Sequence, residues 1–120
     1  MILMSKLLDG LRDYGADVDG VLDRFMDDEE LFFSCLSEFV EGDDFETLIK
    51  TLESKSYDDA FEVAHALKGV TGNLGLLPLF NSVCVLVEAL RAHEYTDIES
   101  KLQDVLNKKD EFLACYKEIS

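Results

Sequence analysis

The chain has 120 residues, which suits one domain, and it carries 26 acidic against 11 basic residues for a net charge of -15. This balance argues against nucleic-acid binding, which needs basic side chains to neutralise phosphates, and against binding to an anionic membrane surface. With one proline, no tryptophan and no alternating apolar run of useful length, the chain is predicted to be all-α.

The first sixteen residues predict an amphipathic helix. The stretch MILMSKLLDGLRDYG has helical apolar spacing, and it lacks the basic start, long apolar run and cleavage site of a secretory signal. Residues 1–16 are therefore expected to pack, as an N-terminal helix or extension, on a single domain that spans 1–120. No segment is long enough to cross a bilayer. Three cysteines without motif spacing favour buried free thiols in a reducing, cytoplasmic compartment: Cys35, Cys84 and Cys115.

Caps and apolar spacing divide the next forty residues into a loop and three helices. Asp27 or Asp28 is expected to cap the middle helix, because an aspartate side chain accepts hydrogen bonds from the first helical turn. The predicted elements are a loop at 14–20, a helix at 21–26, a helix that ends near Gly42 and a helix from about Asp43 to Ser54.

The second half of the chain predicts three longer helices. Ser56 and Asp59 resemble a capping box in an acidic form, and the helix that they open should end with Gly75 as its C′ residue. Pro78 suits the first turn of the next helix, and the polar turn HEYTD leads to the last one. Short connections between long helices imply antiparallel neighbours. The expected fold is an up-down antiparallel four-helix bundle with additional short N-terminal helices.

The helix over 56–74 places a histidine away from the core. At about 100° per residue, its apolar residues share one arc: Ala60, Val63, Ala64, Leu67, Val70 and Leu74. His65 falls opposite this arc and is predicted to face solvent. Its near neighbours on the wheel are Asp58, Phe61, Glu62, Lys68, Gly69 and Gly72.

The residues around His65 favour a functional surface. A glycine in an exposed helix interior costs about 1 kcal/mol relative to alanine, and packing does not require Gly69 or Gly72, although Gly72 could also loosen the helix end. An exposed imidazole is a nucleophile near neutral pH, and Lys68 would hold a dianionic group attached to it. The sequence offers neither a hydrolytic triad nor three clustered metal ligands at this face. Reversible phosphorylation of His65 suits the set best.

The stretch AHALKGVTGNLG, Ala64 to Gly75, resembles the signature of histidine-containing phosphotransfer (HPt) domains: a histidine, then lysine and glycine one turn on, then small residues ending in glycine. The resemblance continues through LDRFMDDEELFFSCLSEF and LFNSVCVLVEALR, from about Asp17 onward. It implies a four-helix bundle that relays a phosphoryl group between receiver-domain aspartates. His65 would accept the group, through Nε2, Lys68 would stabilise its charge, and Gly69 would provide clearance for the receiver.

The resemblance also implies partners. These would be receiver domains of a hybrid histidine kinase, a response regulator or both, and the chain itself is expected to be a monomer. Mg²⁺ is expected on the receiver, with no cofactor or metal in this chain and no autonomous turnover. The candidate docking residues are Phe61, Glu62, Gly72 and Arg91. For Phe61, partial burial against a neighbouring helix is the alternative.

Two other functions remain open. The chain could bind receivers or kinases and inhibit signalling without carrying phosphate, although such a module has no reason to keep His65, Lys68 and Gly69 together. It could also be the histidine-bearing piece of a larger kinase. Its length, the lack of a nucleotide-binding motif and the starting Met1 favour a complete carrier protein instead.

Overall fold

The computed structural model describes residues 2–119, with side chains described over 5–117. Within this range the chain forms seven α-helices and no strand, which confirms the prediction of an all-α fold. The helices are α1 (Ile2–Tyr14), α2 (Val18–Arg24), α3 (Glu29–Glu41), α4 (Asp44–Glu53), α5 (Tyr57–Asn73), α6 (Leu77–Arg91) and α7 (Ile98–Ile119). None of the helices in the described range is both long and apolar enough to cross a membrane.

Helix α5 lies against both α4 and α6, and α6 also packs against α7. Ala60 and Ala64 of α5 are fully buried, and their small side chains let neighbouring helices approach closely. The rest of the core consists mainly of leucine and valine, with Phe32 of α3 and Phe112 of α7 as its largest buried side chains. The α5 segment is thus held by packing on more than one side.

The predicted N-terminal helix is present as α1, and it packs along α7. Leu7, Leu8 and Leu11 form its buried face. The Tyr14 hydroxyl donates a hydrogen bond to the Lys108 carbonyl at 3.0 Å. Burial raises the pKa of Tyr14 well above its ordinary value, so this hydroxyl remains a donor at physiological pH. Helix α1 is therefore an integral part of the fold. Met1, the first residue of the predicted segment, lies outside the described residues.

The predicted bounds of the second helix were wrong by about three residues, because α2 covers Val18–Arg24 and not 21–26. Its N-cap is Asp17, whose side chain accepts a hydrogen bond from a backbone N–H of the first turn at 3.1 Å. The helix cannot continue through Met26 and Asp27, whose φ angles are 55° and 63°.

The later helices begin at the predicted cap residues, but not every predicted capping hydrogen bond is formed. Asp28 caps α3 by accepting a hydrogen bond from the Leu31 N–H at 3.0 Å. Ser56 occupies the N-cap position of α5, but its side chain makes no capping hydrogen bond, so the predicted capping box was wrong. Pro78 lies in the first turn of α6, as predicted.

The three cysteines are less buried than predicted. Each lies at an intermediate depth, on a different helix: Cys35, Cys84 and Cys115.

Candidate functional site

Helix α5 ends in the way that its sequence predicts. Gly75 adopts the left-handed conformation with a φ of +68°. The Leu76 N–H donates to the Thr71 carbonyl at 3.0 Å, and the Gly75 N–H donates to the Gly72 carbonyl at 3.1 Å. This pair of hydrogen bonds is a Schellman motif, and it confirms Gly75 as the C′ residue.

Gly75 also fixes the beginning of α2 against the end of α5. The Asp17 N–H donates to the Gly75 carbonyl at 2.9 Å. A side-chain carbon on Gly75 would overlap Val21 and lie 3.1 Å from the Asp17 carbonyl oxygen. Only glycine fits here, both because of its φ angle and because the α2 backbone is so close.

The two faces of α5 are separated as predicted. Its buried residues are Ala60, Ala64, Leu67 and Thr71. The Thr71 hydroxyl, which lies in the core, is satisfied by donating to the Leu67 carbonyl at 2.7 Å. His65 is exposed on the opposite side. The imidazole is therefore not a core side chain, and it is accessible from solvent.

His65, Lys68 and Gly69 line one open groove of about 470 Å³. The remaining lining residues are Arg24, Gly72, Asn73 and Phe80. No carboxylate lines this groove, although the chain has 26 acidic residues. The groove is thus locally cationic on a strongly acidic protein.

Gly69 is not required by the packing of the fold. A side-chain carbon built on it would meet no other atom within 4 Å, apart from its own helix backbone and neighbours. Its φ angle is ordinary for a helix, so backbone conformation does not require glycine either. The helix therefore forgoes about 1 kcal/mol at this position without any return in its own packing.

Gly72 differs from Gly69, and the expectation that packing does not require it was wrong. A side-chain carbon on Gly72 would lie 3.0 Å from the ring of Phe80 on α6. The missing side chain makes room for that ring. Its role as a docking residue stays a prediction.

Phe61 and Arg91 form a stack beside the histidine. The Phe61 and His65 ring centroids are 5.8 Å apart, and the Arg91 guanidinium lies 5.2 Å from the Phe61 centroid on the ring's face. Phe61 is partly buried against the core, which is the alternative that the sequence left open. Arg91 also pairs with Glu88 at 3.5 Å, while Glu62 is exposed and lines an adjoining groove.

Arg24 also lines the groove, although the sequence did not predict it. Its Nη2 donates to the Gly72 carbonyl at 3.2 Å and to the Asn73 carbonyl at 3.0 Å. Helix α5 has no basic residue of its own in its last turn, so an arginine from α2 supplies the cation that suits a helix C-terminus. The lack of a basic residue at the end of α5 was the one sign of this contact in the sequence. It did not indicate which distant residue would supply the positive charge.

The second histidine lies elsewhere and has its own contact. His93 follows α6, and its Nδ1 is 2.8 Å from the Tyr95 hydroxyl. Among the side chains that the structure describes, no three histidines, cysteines or carboxylates come together as a metal-ligand group.

Comparison with protein-family models, with curated proteins and with solved structures found no match for this chain.

Proposed function

We propose that this protein is a histidine phosphotransfer protein, and that it carries a phosphoryl group on His65 between receiver domains. The observation that carries the proposal is the common groove of His65, Lys68 and Gly69, in which no carboxylate is present. The groove offers a nucleophile, a cation one turn away and open space. Phosphoryl transfer depends mainly on such positioning and on stabilisation of charge.

The proposed phosphoryl transfer needs no cofactor bound to this chain. The Nε2 lone pair of His65 attacks the phosphorus of an aspartyl phosphate on the receiver. The new N–P bond forms as the P–O bond to the aspartate breaks, and the electron pair leaves with the carboxylate. Transfer to a second receiver aspartate reverses these steps. The receiver would supply Mg²⁺, and Lys68 would hold the charge of the phosphoryl oxygens.

The fold that we propose for this role is an up-down antiparallel bundle of α4, α5, α6 and α7. The support is that α4, α5 and α6 follow one another through connections of three residues, 54–56 and 74–76. Helix α5 would then be one wall of the bundle and present His65 outward. Helices α1 to α3 would complete the packing at its end and flank.

The partners that we propose are receiver domains of a hybrid kinase, a response regulator or both, in the cytoplasm, with this chain acting as a monomer. Phe61, Glu62, Gly72 and Arg91 are the proposed docking residues. Phe61 supports this choice because its ring adjoins the imidazole, and Arg91 does so because its guanidinium lies over the Phe61 ring.

The test is phosphotransfer profiling. The purified protein is mixed with each phosphorylated receiver of its source organism, and bound phosphate is followed over time. We expect rapid labelling from a small subset of receivers, with phosphate that is labile in acid and stable in base. If no receiver labels the protein, the proposal fails. A receiver that binds tightly without transfer, and binds His65→Ala equally well, would instead identify an inhibitory binding module.

A further inference from the structure

Arg24 lies at the end of the groove that is remote from His65. It comes from α2, yet it is bonded to the last turn of α5 through the Gly72 and Asn73 carbonyls. Both hydrogen bonds use Nη2. A guanidinium has five N–H groups in a planar fork, so those on Nη1 and Nε remain available to another acceptor. Arg24 is also exposed, which a purely internal cap would not need to be.

Arg24 and Lys68 lie at different distances from His65 along α5, and this gives them different roles. Gly72 lies seven residues after His65, which is about 10 Å at 1.5 Å per residue. Helical side chains lean toward the N-terminus, so the imidazole lies still farther from the Arg24 guanidinium. Lys68 is only one turn from His65. A phosphoryl group on His65 is therefore within the range of Lys68 but not of Arg24.

The two groove cations are unpaired in a protein that is rich in carboxylates. Within residues 5–117, neither Arg24 nor Lys68 has a carboxylate oxygen within 4.0 Å, so both charges remain open to a partner, as do those of several other lysines outside the groove. Arg24 also offsets the negative end of the α5 dipole, which would otherwise repel an acidic surface. A partner that covers the groove thus meets positive charge along its length.

We propose that Arg24 is a docking residue that binds a carboxylate on the surface of the receiver domain when that domain covers His65. The α5 carbonyls hold the guanidinium in place, and its remaining N–H groups form a charge-assisted pair with the partner. This inference rests on the proposed phosphotransfer function. It explains how a chain with a net charge of -15 attracts an acidic partner to one end of one helix.

The experiment measures phosphotransfer from a cognate phosphorylated receiver at several receiver concentrations and ionic strengths. The variants are Arg24→Gln, which removes the charge, and Arg24→Lys, which keeps it. Arg12→Gln is the matched control, because Arg12 is an exposed arginine outside the groove that pairs with Asp9 and Asp19. All rates are measured at a temperature where circular dichroism shows each variant folded.

Arg24→Gln should raise KM, the receiver concentration that gives half the maximal transfer rate, about fivefold, as expected for loss of one exposed ion pair. The maximal transfer rate, written kcat, should stay within about twofold. The KM of Arg24→Gln should also depend less on salt than that of the wild type, a change that loss of a structural cap alone would not produce. Arg12→Gln should stay within about twofold of the wild-type KM. Arg24→Lys, which keeps the charge but not the planar fork, should give a KM between those of the wild type and Arg24→Gln.

Equal KM values for Arg24→Gln and Arg12→Gln would overturn the inference, as would a loss confined to kcat. A wild-type KM that does not rise with salt would overturn it even if Arg24→Gln failed to fold. These results leave the phosphotransfer function intact, because they require a wild-type protein that accepts phosphate. A wild type that accepts none would remove both proposals together.

Discussion

The rings of Phe61 and His65 lie one turn apart on α5 with their centroids 5.8 Å apart and their planes inclined by 35°. Phe61 is itself covered on one face by the Arg91 guanidinium. The exposed imidazole therefore has a fixed aromatic neighbour on one side and the open groove on the other. Under the proposed function, a phosphodonor would approach the imidazole from the groove side.

Phe61→Ala should lower the free energy of unfolding by about 1–2 kcal/mol, less than for a fully buried phenylalanine, because the ring is half-buried and its cation–π contact is lost. Chemical denaturation measures this. Phe61→Leu, which keeps most of the apolar contact, is the control and should lose about half as much. An unchanged stability in Phe61→Ala would mean that the Phe61 ring makes no stabilising contact in solution.

Lys68→Ala should slow phosphotransfer by about tenfold, because the charge of the phosphoryl oxygens is no longer compensated. Its stability should change by no more than about 0.5 kcal/mol, since Lys68 lies on the groove face. Lys68→Arg keeps the charge and should retain most of the rate. A thermal unfolding scan that shows a large loss for Lys68→Ala would contradict the placement of this side chain.

The two groove glycines should respond in opposite ways to the same substitution. Gly69→Leu adds a side chain where there is no neighbouring atom, so it should raise stability by about 0.8 kcal/mol through helix propensity. It should also block transfer by filling the space that the receiver needs. Normal transfer kinetics in this folded variant would refute the clearance role of Gly69.

Gly72→Leu is the matched comparison. Its side chain would collide with the Phe80 ring, which lies 3.0 Å from the position of the added carbon. Overpacking of this kind should cost about 1–3 kcal/mol. Denaturant titrations of both leucine variants measure the contrast, and equal stabilities would show that the Phe80 contact does not constrain Gly72.

Ser82 and Asp104 link α6 to α7 and predict a pH-dependent contribution to stability. The Ser82 hydroxyl donates to Asp104 Oδ2 at 2.6 Å, and this bond, with help from Lys108, lowers the pKa of Asp104. A lowered folded-state pKa gives stability that is present above the unfolded pKa of about 4 and lost as pH falls through the folded value.

Ser82→Ala should therefore destabilise the protein more at pH 7 than near pH 2. The check is the free energy of unfolding of wild type and variant at both pH values. A destabilisation of the same size at both would show that the hydroxyl contributes through packing alone. Asp104→Asn, which cannot ionise, should likewise lack this pH-dependent contribution to the free energy of unfolding.

The sequence predicted those features that depend on residues close together in the chain. Helical spacing separated Leu67 from His65, and the rarity of left-handed conformations outside glycine identified Gly75 as the end of α5. Both are local properties of one helix. The exposed face of α5 could therefore be predicted before the fold was known.

The features that the sequence did not reveal depend on contacts between distant segments. The need for glycine at position 72 comes from Phe80 on another helix, and Arg24 reaches carbonyls that are 48 and 49 residues away. The start of α2 was misplaced because Asp17, rather than a later residue, caps it. No periodic pattern records such contacts, since each depends on how the helices pack.

The most direct test of the central claim is to map the phosphate by comparing variants of the two histidines in the chain. Wild type, His65→Gln and His93→Gln are incubated with the same phosphorylated receiver, and acid-labile phosphate on each is quantified. His93 makes its contact with Tyr95, outside the groove, so His93→Gln should be labelled like the wild type. His65→Gln should carry no phosphate. Full labelling of His65→Gln would contradict the assignment of His65 as the phosphoacceptor.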